Sequence, residues 1–329
     1  MIMTKTIVIA PGDGIGQEVT PIAAKTLEIF HPEWTYIPVE LGYEHYQKTG
    51  IPLSDDVLLT MKESDAILFG AITTPPLKDY GSILLRIRKE LNLYANIRPI
   101  QAPGIDIIIV RENTEGLYSG IEWREKDRAC TVRVVSEVAT RRIIRHAIEL
   151  AKKRRGHLTI GTKANVLASD AYFYEIALDE ISKDTDPIIH TMQYIDALVL
   201  DVLQRPTRYD VIVTTNMFGD ILSDAAAYLC FGLGMLPSAN FGSSYHALFE
   251  PVHGSAPDIA GTNRANPVAA IRSAALLLQH LGDSQGAVYI ETAIQNTWEA
   301  GLKTQDLGGS ASTTEYSDEF LRQLSVLVQ

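Results

Sequence analysis

The stretch TKTIVIAPGDGIGQEVTPIAAKTLEIF, residues 4–30, decides how this chain is to be read. TIVIA (6–10) is a β-branched run of the kind that forms a buried strand, PGDGIG (11–16) is a glycine turn, and QEVTPIAAKTLEIF (17–30) has amphipathic helical spacing. Strand, glycine turn and helix in this order suggest a Rossmann dinucleotide fold, with Glu40 after the next strand as a candidate acid for the ribose. The glycine spacing refuses it. Counting G-x-G-x-x-G from Gly12 puts Gln17 in the last place, and counting from Gly14 puts Val19 there. The glycines still allow a tight turn with backbone close to another group.

Outward from this turn the pattern continues to alternate. WTYIPVEL (34–41) and AILFGA (66–71) read as strands, with a helix around DDVLLTMKES (55–64) between them. SILLRIRKEL (82–91) reads as a helix, IDIIIV (105–110) and TVRVVS (131–136) as strands, and ATRRIIRHAIELAKKRRG (139–156) as a helix. DVIVTT (210–215) is a strand pattern, NMFGDILSDAAAYLCFG (216–232) starts a helix, and PVAAIRSAALLLQHLG (267–282) is a helix with a first-turn proline and a closing glycine. Strands alternating with helices predict an α/β fold. With 329 residues the chain exceeds one typical core, so two domains are expected, and no obvious linker marks a single boundary between them.

Composition narrows the partners. Apolar residues make up 46%, and 29 basic against 40 acidic residues leave a net charge of −11, which gives phosphate backbones no general attraction. The basic face of 139–156 reads as solvated, with no interleaved aromatics to suggest nucleic acid. No run approaches the roughly 18 to 20 apolar residues of a bilayer span. The N-terminus lacks a signal-peptide pattern, and two cysteines a hundred residues apart cannot form a four-thiolate zinc site and fit a reducing compartment, so a cytoplasmic protein free of membrane is expected.

Several charged residues sit where rigid elements should hold them. Arg88, Arg98 and Arg111 each follow an apolar segment; they suit a ligand with two or three carboxylates, or they pair with internal acids such as Glu112 and Glu115. Asp220 and Asp224 are four apart on one helix and so project from one face. Such a pair favours a cation between the carboxylates, Mg²⁺ or Mn²⁺ by its oxygen donors, unless Asp220 is a first-turn cap and Asp224 merely solvated. Asp196, an acid among apolar neighbours, is a candidate third ligand. EPVHGSAPDIAG (250–261) gathers small residues with Glu250, His253, Ser255 and Asp258, and reads as a loop against a flat or extended ligand; an acid there can accept from ribose hydroxyls and repel a 2′-phosphate.

The segments GDGIG (12–16), LRIRKELNLYANIRP (85–99), VRENTEGLYSG (110–120), KANVL (163–167), YID (194–196), NMFGDILSD (216–224) and HGSAPDIAGTNRANP (253–267) together resemble the β-decarboxylating dehydrogenases, the family of isocitrate, 3-isopropylmalate and homoisocitrate dehydrogenases. The resemblance runs from near residue 4 to near residue 310. It implies a two-domain isopropylmalate dehydrogenase-like α/β fold, mixed parallel sheets with flanking helices and not a Rossmann fold. Residues 1–94 and 230–329 are then the large domain and 95–229 the small one. It also implies a homodimer or dimer of dimers whose active sites share residues across the interface.

By position, the resemblance assigns Arg88, Arg98 and Arg111 to the malate-like carboxylates and Asp220, Asp224 and a partner chain's Asp196 to Mg²⁺ or Mn²⁺. Lys163, also from the partner, is implied as the base for the substrate hydroxyl, and Tyr118 as the acid that protonates the enol. The NAD site would comprise Glu250, His253, Gly254, Ser255, Ala256, Asp258, Ile259 and Asn266. Members that use NADP carry lysine and tyrosine where this chain has Asp258 and Ile259, so NAD is the expected cofactor.

Substrate choice in the family depends on the helix before Arg88. Ser82 matches the serine of isocitrate enzymes, but Leu84 replaces their asparagine. Leu84 and Leu85 fit the leucines of bacterial isopropylmalate enzymes, while Gly81 replaces their glutamate. FGAITTPPLKDYGSILLRIR (69–88) looks most like archaeal homoisocitrate-type enzymes, so homoisocitrate or a longer homologue is expected first, 3-isopropylmalate second and isocitrate third. Two departures, the shortened segment between Arg98 and Arg111 and Ala197 where several members carry asparagine, remove no implied catalytic group.

Overall fold

A computed structural model describes residues 4–77, 80–243 and 246–328. Its strands in chain order are β1 (Thr6–Gly12), β2 (Thr35–Pro38), β3 (Ala66–Ala71), β4 (Leu93–Ala102), β5 (Ile105–Glu112), β6 (Glu122–Arg124), β7 (Ala129–Thr131), β8 (His157–Thr162), β9 (Ile189–Tyr194), β10 (Val211–Thr214), β11 (Pro237–Gly242) and β12 (Ala247–Pro251).

The chain divides into two compact units, residues 1–87, 231–239 and 244–329 forming the first and residues 88–230 and 240–243 the second. The limits expected from sequence were 94/95 and 229/230. The first observed limit, 87/88, comes earlier because Arg88 and β4 go with β5; the second, 230/231, comes one residue later, and β11 gives its first half to one unit and its second half to the other.

In the first unit the strand order is β2-β1-β3-β12, and the pairings are parallel. β3, AILFGA, is buried throughout, as a parallel strand covered on both faces must be. Helices Gly16–Phe30 and Val268–His280 pack together over this sheet, and the latter buries Ile271, Leu277 and Leu278. In the second unit the order is β4-β5-β10-β8-β9, with β4 and β5 antiparallel and the other pairs parallel. Helix Glu137–Lys152 buries Ile143, Ile144, Ala147, Ile148 and Ala151, the apolar stripe legible in sequence. Ser136 caps it by accepting from the Ala139 N–H. Both units are α/β, with helices laid on mixed or parallel sheets.

Two expected strands came out shorter. WTYIPVEL keeps only Thr35–Pro38. TVRVVS ends at Thr131, because Val134 makes a single bridge to Gly116 and Ser136 is committed to capping a helix.

The opening turn explains why its glycine spacing fails. Gly12 and Gly14 adopt φ of +73° and +57°, and a Cβ on either would collide with backbone, at Ala71 and Ser255 respectively. These glycines let the turn press against its own neighbours. Asp13 between them is buried, and its carboxylate accepts from the backbone N–H groups of Tyr43, Glu44 and Thr73 at 2.9 Å each.

Candidate active site

The second unit assembles one cluster from three chain segments. Arg98 lies in β4 and Arg111 near the end of β5, where it pairs in register with Thr214 of β10. The chain leaves β10 directly into helix Asn216–Ala226, which brings Asp220 back over Arg111. Gly219 makes this approach possible, since a Cβ there would lie 2.7 Å from Arg111 Cγ. The turn before Tyr118 docks on the same helix: Gly116 has φ +71°, and Asn216 donates to the Glu115 carbonyl.

Arg111 Nη1 donates to Asp220 at 2.5 Å, and Nη2 donates to the Tyr118 hydroxyl at 2.9 Å. Its Nε is buried with no acceptor among the described residues. Arg98 reaches Asp220 at 3.1 Å and Asp224 at 3.3 Å, and its Nε donates to Asn96 at 2.8 Å. Arg88 is buried, and its charge acts on Arg111. Burial, then the nearby Arg98 and Arg88 charges against the pull of Asp220, push the Arg111 guanidinium down to about 10. Burial is the largest cause, and the neighbouring guanidinium charges add to it; an added dianion would offset those charges.

Asp220 and Asp224 fit a dication. They lie one turn apart with 41% and 52% of their side chains exposed, so both keep free acceptor lone pairs. Burial, opposed by Arg98 and reinforced by Asp220, holds the Asp224 carboxyl above its ordinary value. A cation between the two removes that repulsion.

Lys163 and Asp196 form a second cluster. Lys163 follows β8, Asp196 opens helix Ile195–Gln204, and the ammonium lies 2.8 Å from the carboxylate and 5.8 Å from the Tyr194 ring centroid. The hydrogen bond from Lys163 holds the Asp196 carboxyl below its usual range. Among the described residues of one chain, no three His, Cys, Asp or Glu side chains are placed to share a metal ion, so Asp196 does not complete a triad with Asp220 and Asp224 within the chain.

A pair of residues absent from the sequence reading ties the clusters together. Asp170, fully buried, receives both terminal nitrogens of Arg133, at 2.6 and 3.3 Å, and the Lys163 backbone N–H at 2.9 Å. Arg133 also donates to Thr215, the residue before the Asp220 helix, at 2.6 Å, and lies 4.6 Å from the Phe218 ring centroid. Burial outweighs the Arg133 charge and holds the Asp170 carboxyl above its ordinary value. The sequence signal was weak, because Asp170 sits in the first turn of a helix where an acid is unremarkable.

In the first unit, the loop expected to hold a nucleotide packs on the glycine turn: the Ser255 carbonyl accepts from Ile15 N–H, and the Ser255 hydroxyl accepts from Thr73. His253 Nδ1 donates to the Gly254 carbonyl at 2.9 Å, so the ring presents Nε2 as an acceptor, buried and without a donor among the described residues. Burial also lowers the His253 pKa, which keeps the ring neutral. Ala256 is held at φ +40°, a strained conformation for a residue with a Cβ. An orphaned acceptor beside strained backbone fits a heteroaromatic amine with ribose. Asp258 is exposed, Glu250 buried, and Asn266 donates to Asp306 at 2.8 Å.

Ser82 precedes helix Ile83–Glu90, on which Leu84 and Leu85 are half-buried. Arg86 is engaged with Asp55 at 2.6 Å and with the Leu53 carbonyl, consistent with an orientation away from Arg88. Asp79 of the homoisocitrate-like segment lies outside the described residues.

Known proteins are similar over nearly the whole chain. Residues 6–320 match the family model of isocitrate/isopropylmalate dehydrogenase. A 3-isopropylmalate dehydrogenase of Archaeoglobus fulgidus is 43% identical over 96% of this chain and 98% of its own. A homoisocitrate dehydrogenase of Methanocaldococcus jannaschii is also 43% identical, over 98% of each. The crystal structure of isocitrate dehydrogenase from Methylococcus capsulatus superposes with a TM-score of 0.93 at 37% identity, covering 98% of this chain and 100% of that one. With its fold and nearly its full length matched, the chain belongs to the isocitrate/isopropylmalate dehydrogenase family of decarboxylating dehydrogenases.

Proposed function

We propose that the chain catalyses NAD-dependent oxidative decarboxylation of a 3-substituted malate, homoisocitrate or a longer homologue, to a 2-oxo acid, CO₂ and NADH. The observation that carries this reading is the crowding of Arg88, Arg98 and Arg111, with a buried, unpaired Arg111 Nε beside Tyr118. Guanidinia set this close, with the charges of Arg98 and Arg88 acting on Arg111, favour a polycarboxylate.

In this reading the arginines hold the malate carboxylates and fix C2 and C3. Asp220 and Asp224, with Asp196 of a second copy, hold Mg²⁺ or Mn²⁺, and Glu250, His253 to Ala256, Asp258, Ile259 and Asn266 hold NAD. Bound metal supplies Lewis-acid polarisation of the substrate oxygens, and bound NAD supplies the hydride acceptor. Lys163 takes the proton of the C2 hydroxyl, and Tyr118 delivers a proton to C3 after CO₂ leaves. The Tyr118 hydroxyl is oriented for this by Arg111, at 2.9 Å.

A homodimer is part of the proposal. Asp196 is 68% exposed and ion-paired to Lys163, and among the described residues of one chain it is not placed to share a metal ion with Asp220 and Asp224. Met217 and Ile221, one turn apart on the Asp220 helix, and Leu200 on the Asp196 helix are about half exposed, an apolar surface that a second copy would cover.

3-Isopropylmalate is the second reading, favoured by half-buried Leu84 and Leu85 before Arg88 and by the A. fulgidus relative. Isocitrate ranks third, since Leu84 offers nothing to a third carboxylate. One methylene is worth only about 1–3 kcal/mol in a pocket, so chain length has to be measured. The test is NAD reduction with Mg²⁺ or Mn²⁺ on homoisocitrate, 3-isopropylmalate, isocitrate and malate. The highest kcat/KM is expected on homoisocitrate or a longer homologue. Isocitrate as the best substrate would overturn the substrate reading, and no turnover on any would overturn the proposal.

A further inference from the structure

Helix Glu137–Lys152 and the turn after it carry basic side chains that the proposed reaction does not use. Most are neutralised inside their own unit: Arg141 by Glu137, Asp179 and Glu180, Arg145 by Glu180, Lys152 by Asp184, and Arg154 and Arg155 by Asp210. Arg142 and Lys153 make no ion pair with any described residue. Arg142 gives its terminal nitrogens to neutral acceptors, Asn92 at 2.8 Å and Thr114 at 2.5 Å, and its buried Nε has no acceptor among the described residues.

These two cations line the same cavity, of about 510 Å³. Tyr94, His146 and Phe241 give it aromatic walls, beside Leu150. The Arg142 guanidinium lies 4.7 Å from the Tyr94 ring centroid, His146 meets Tyr94 edge-on at 6.0 Å, and His146 lies nearly parallel to Phe241 at 5.7 Å. Burial, aided by the Lys153 charge, pulls the His146 imidazole down to about 4, so at neutral pH it is an uncharged ring. Glu149 is the opposing acid on the rim, and Lys152 approaches it at 3.5 Å. With Arg145 neutralised by Glu180, the cavity retains a positive surplus.

We propose that this cavity binds an amphipathic organic anion, its aromatic or heteroaromatic body against Tyr94, His146 and Phe241 and its carboxylate or phosphate against Arg142 and Lys153. The volume falls within the range of about 300–1,000 Å³ usual for small-molecule sites. The cavity lies within the second unit and uses none of the residues assigned above to substrate, metal or NAD, so the site stands whether or not that assignment does.

Isothermal titration of the full chain with uridine monophosphate, phenylpyruvate and inorganic phosphate tests it. At least one aromatic anion should bind with one site at the cavity, and the tighter of the two shows whether phosphate or carboxylate is the favoured head group. Lys153→Glu, at an exposed residue without an ion pair, should weaken that binding at least about tenfold, or about 1.4 kcal/mol, with its melting temperature as the folding control. Phe241→Ala should weaken it as well. The proposal is overturned if neither aromatic probe binds at millimolar concentration, if both variants bind as the parent does, or if inorganic phosphate binds as tightly as the aromatic probes.

Discussion

In the proposed reading, cofactor choice rests on Asp258. It is exposed, in a loop fixed by Ser255 on the glycine turn and strained at Ala256, so a charge there acts at a defined place. Asp258→Lys combined with Ile259→Tyr replaces a repulsion of a 2′-phosphate by an attraction. The NADP-to-NAD ratio of kcat/KM is expected to rise at least about tenfold, equivalent to about 1.4 kcal/mol; an unchanged ratio in steady-state assays would remove Asp258 from cofactor selection. That Arg98, Arg111, Asp220 and Asp224 come together agrees with the sequence, where the two aspartates lie four apart on one helix and each arginine follows an apolar segment. Asp13 was not legible in this way. Its carboxylate is satisfied by N–H groups at positions 43, 44 and 73, a partnership that exists only after the sheet has formed.

At the scale of elements, apolar runs and caps were read well where packing agreed with them. AILFGA is β3 end to end, and the SILLRIRKEL reading matches helix Ile83–Glu90 within one residue at each end. The strand β4 escaped because its inward positions include Asn96 and Arg98, which spoil the apolar alternation although both are buried. The buried link between Arg133 and Asp170 shows how elements are fixed to one another: it holds the end of β8 through the Lys163 N–H and the start of the Asp220 helix through Thr215. Asp170→Asn leaves Arg133, only 14% exposed, beside a neutral partner. A loss of about 3–5 kcal/mol is expected in urea unfolding; a loss below about 1 kcal/mol would show that the link contributes little to holding these elements.

At the scale of the whole chain, a net charge of −11 describes the surface and not the ligand sites, since the proposed substrate site is a cluster of buried arginines. Two units were expected from length, and the discontinuous division follows from the chain returning to its first sheet with β12. Acid sensitivity follows from His146. Its folded-state pKa of about 4 lies below the unfolded value of about 6.5, so the folded state favours the neutral ring. The stability this gives is present above pH about 6.5 and is lost as pH falls from there through about 4. Urea midpoints should therefore decline across that interval in the parent chain and decline less in His146→Phe; equal slopes would show that His146 does not titrate with unfolding.

The most direct test of the central claim is the stoichiometry of NADH and released CO₂ with homoisocitrate, in the presence of Mn²⁺ and after its chelation. One CO₂ per NADH, abolished by chelation, is the predicted result. NADH without CO₂, or equal turnover after the metal is removed, would contradict it.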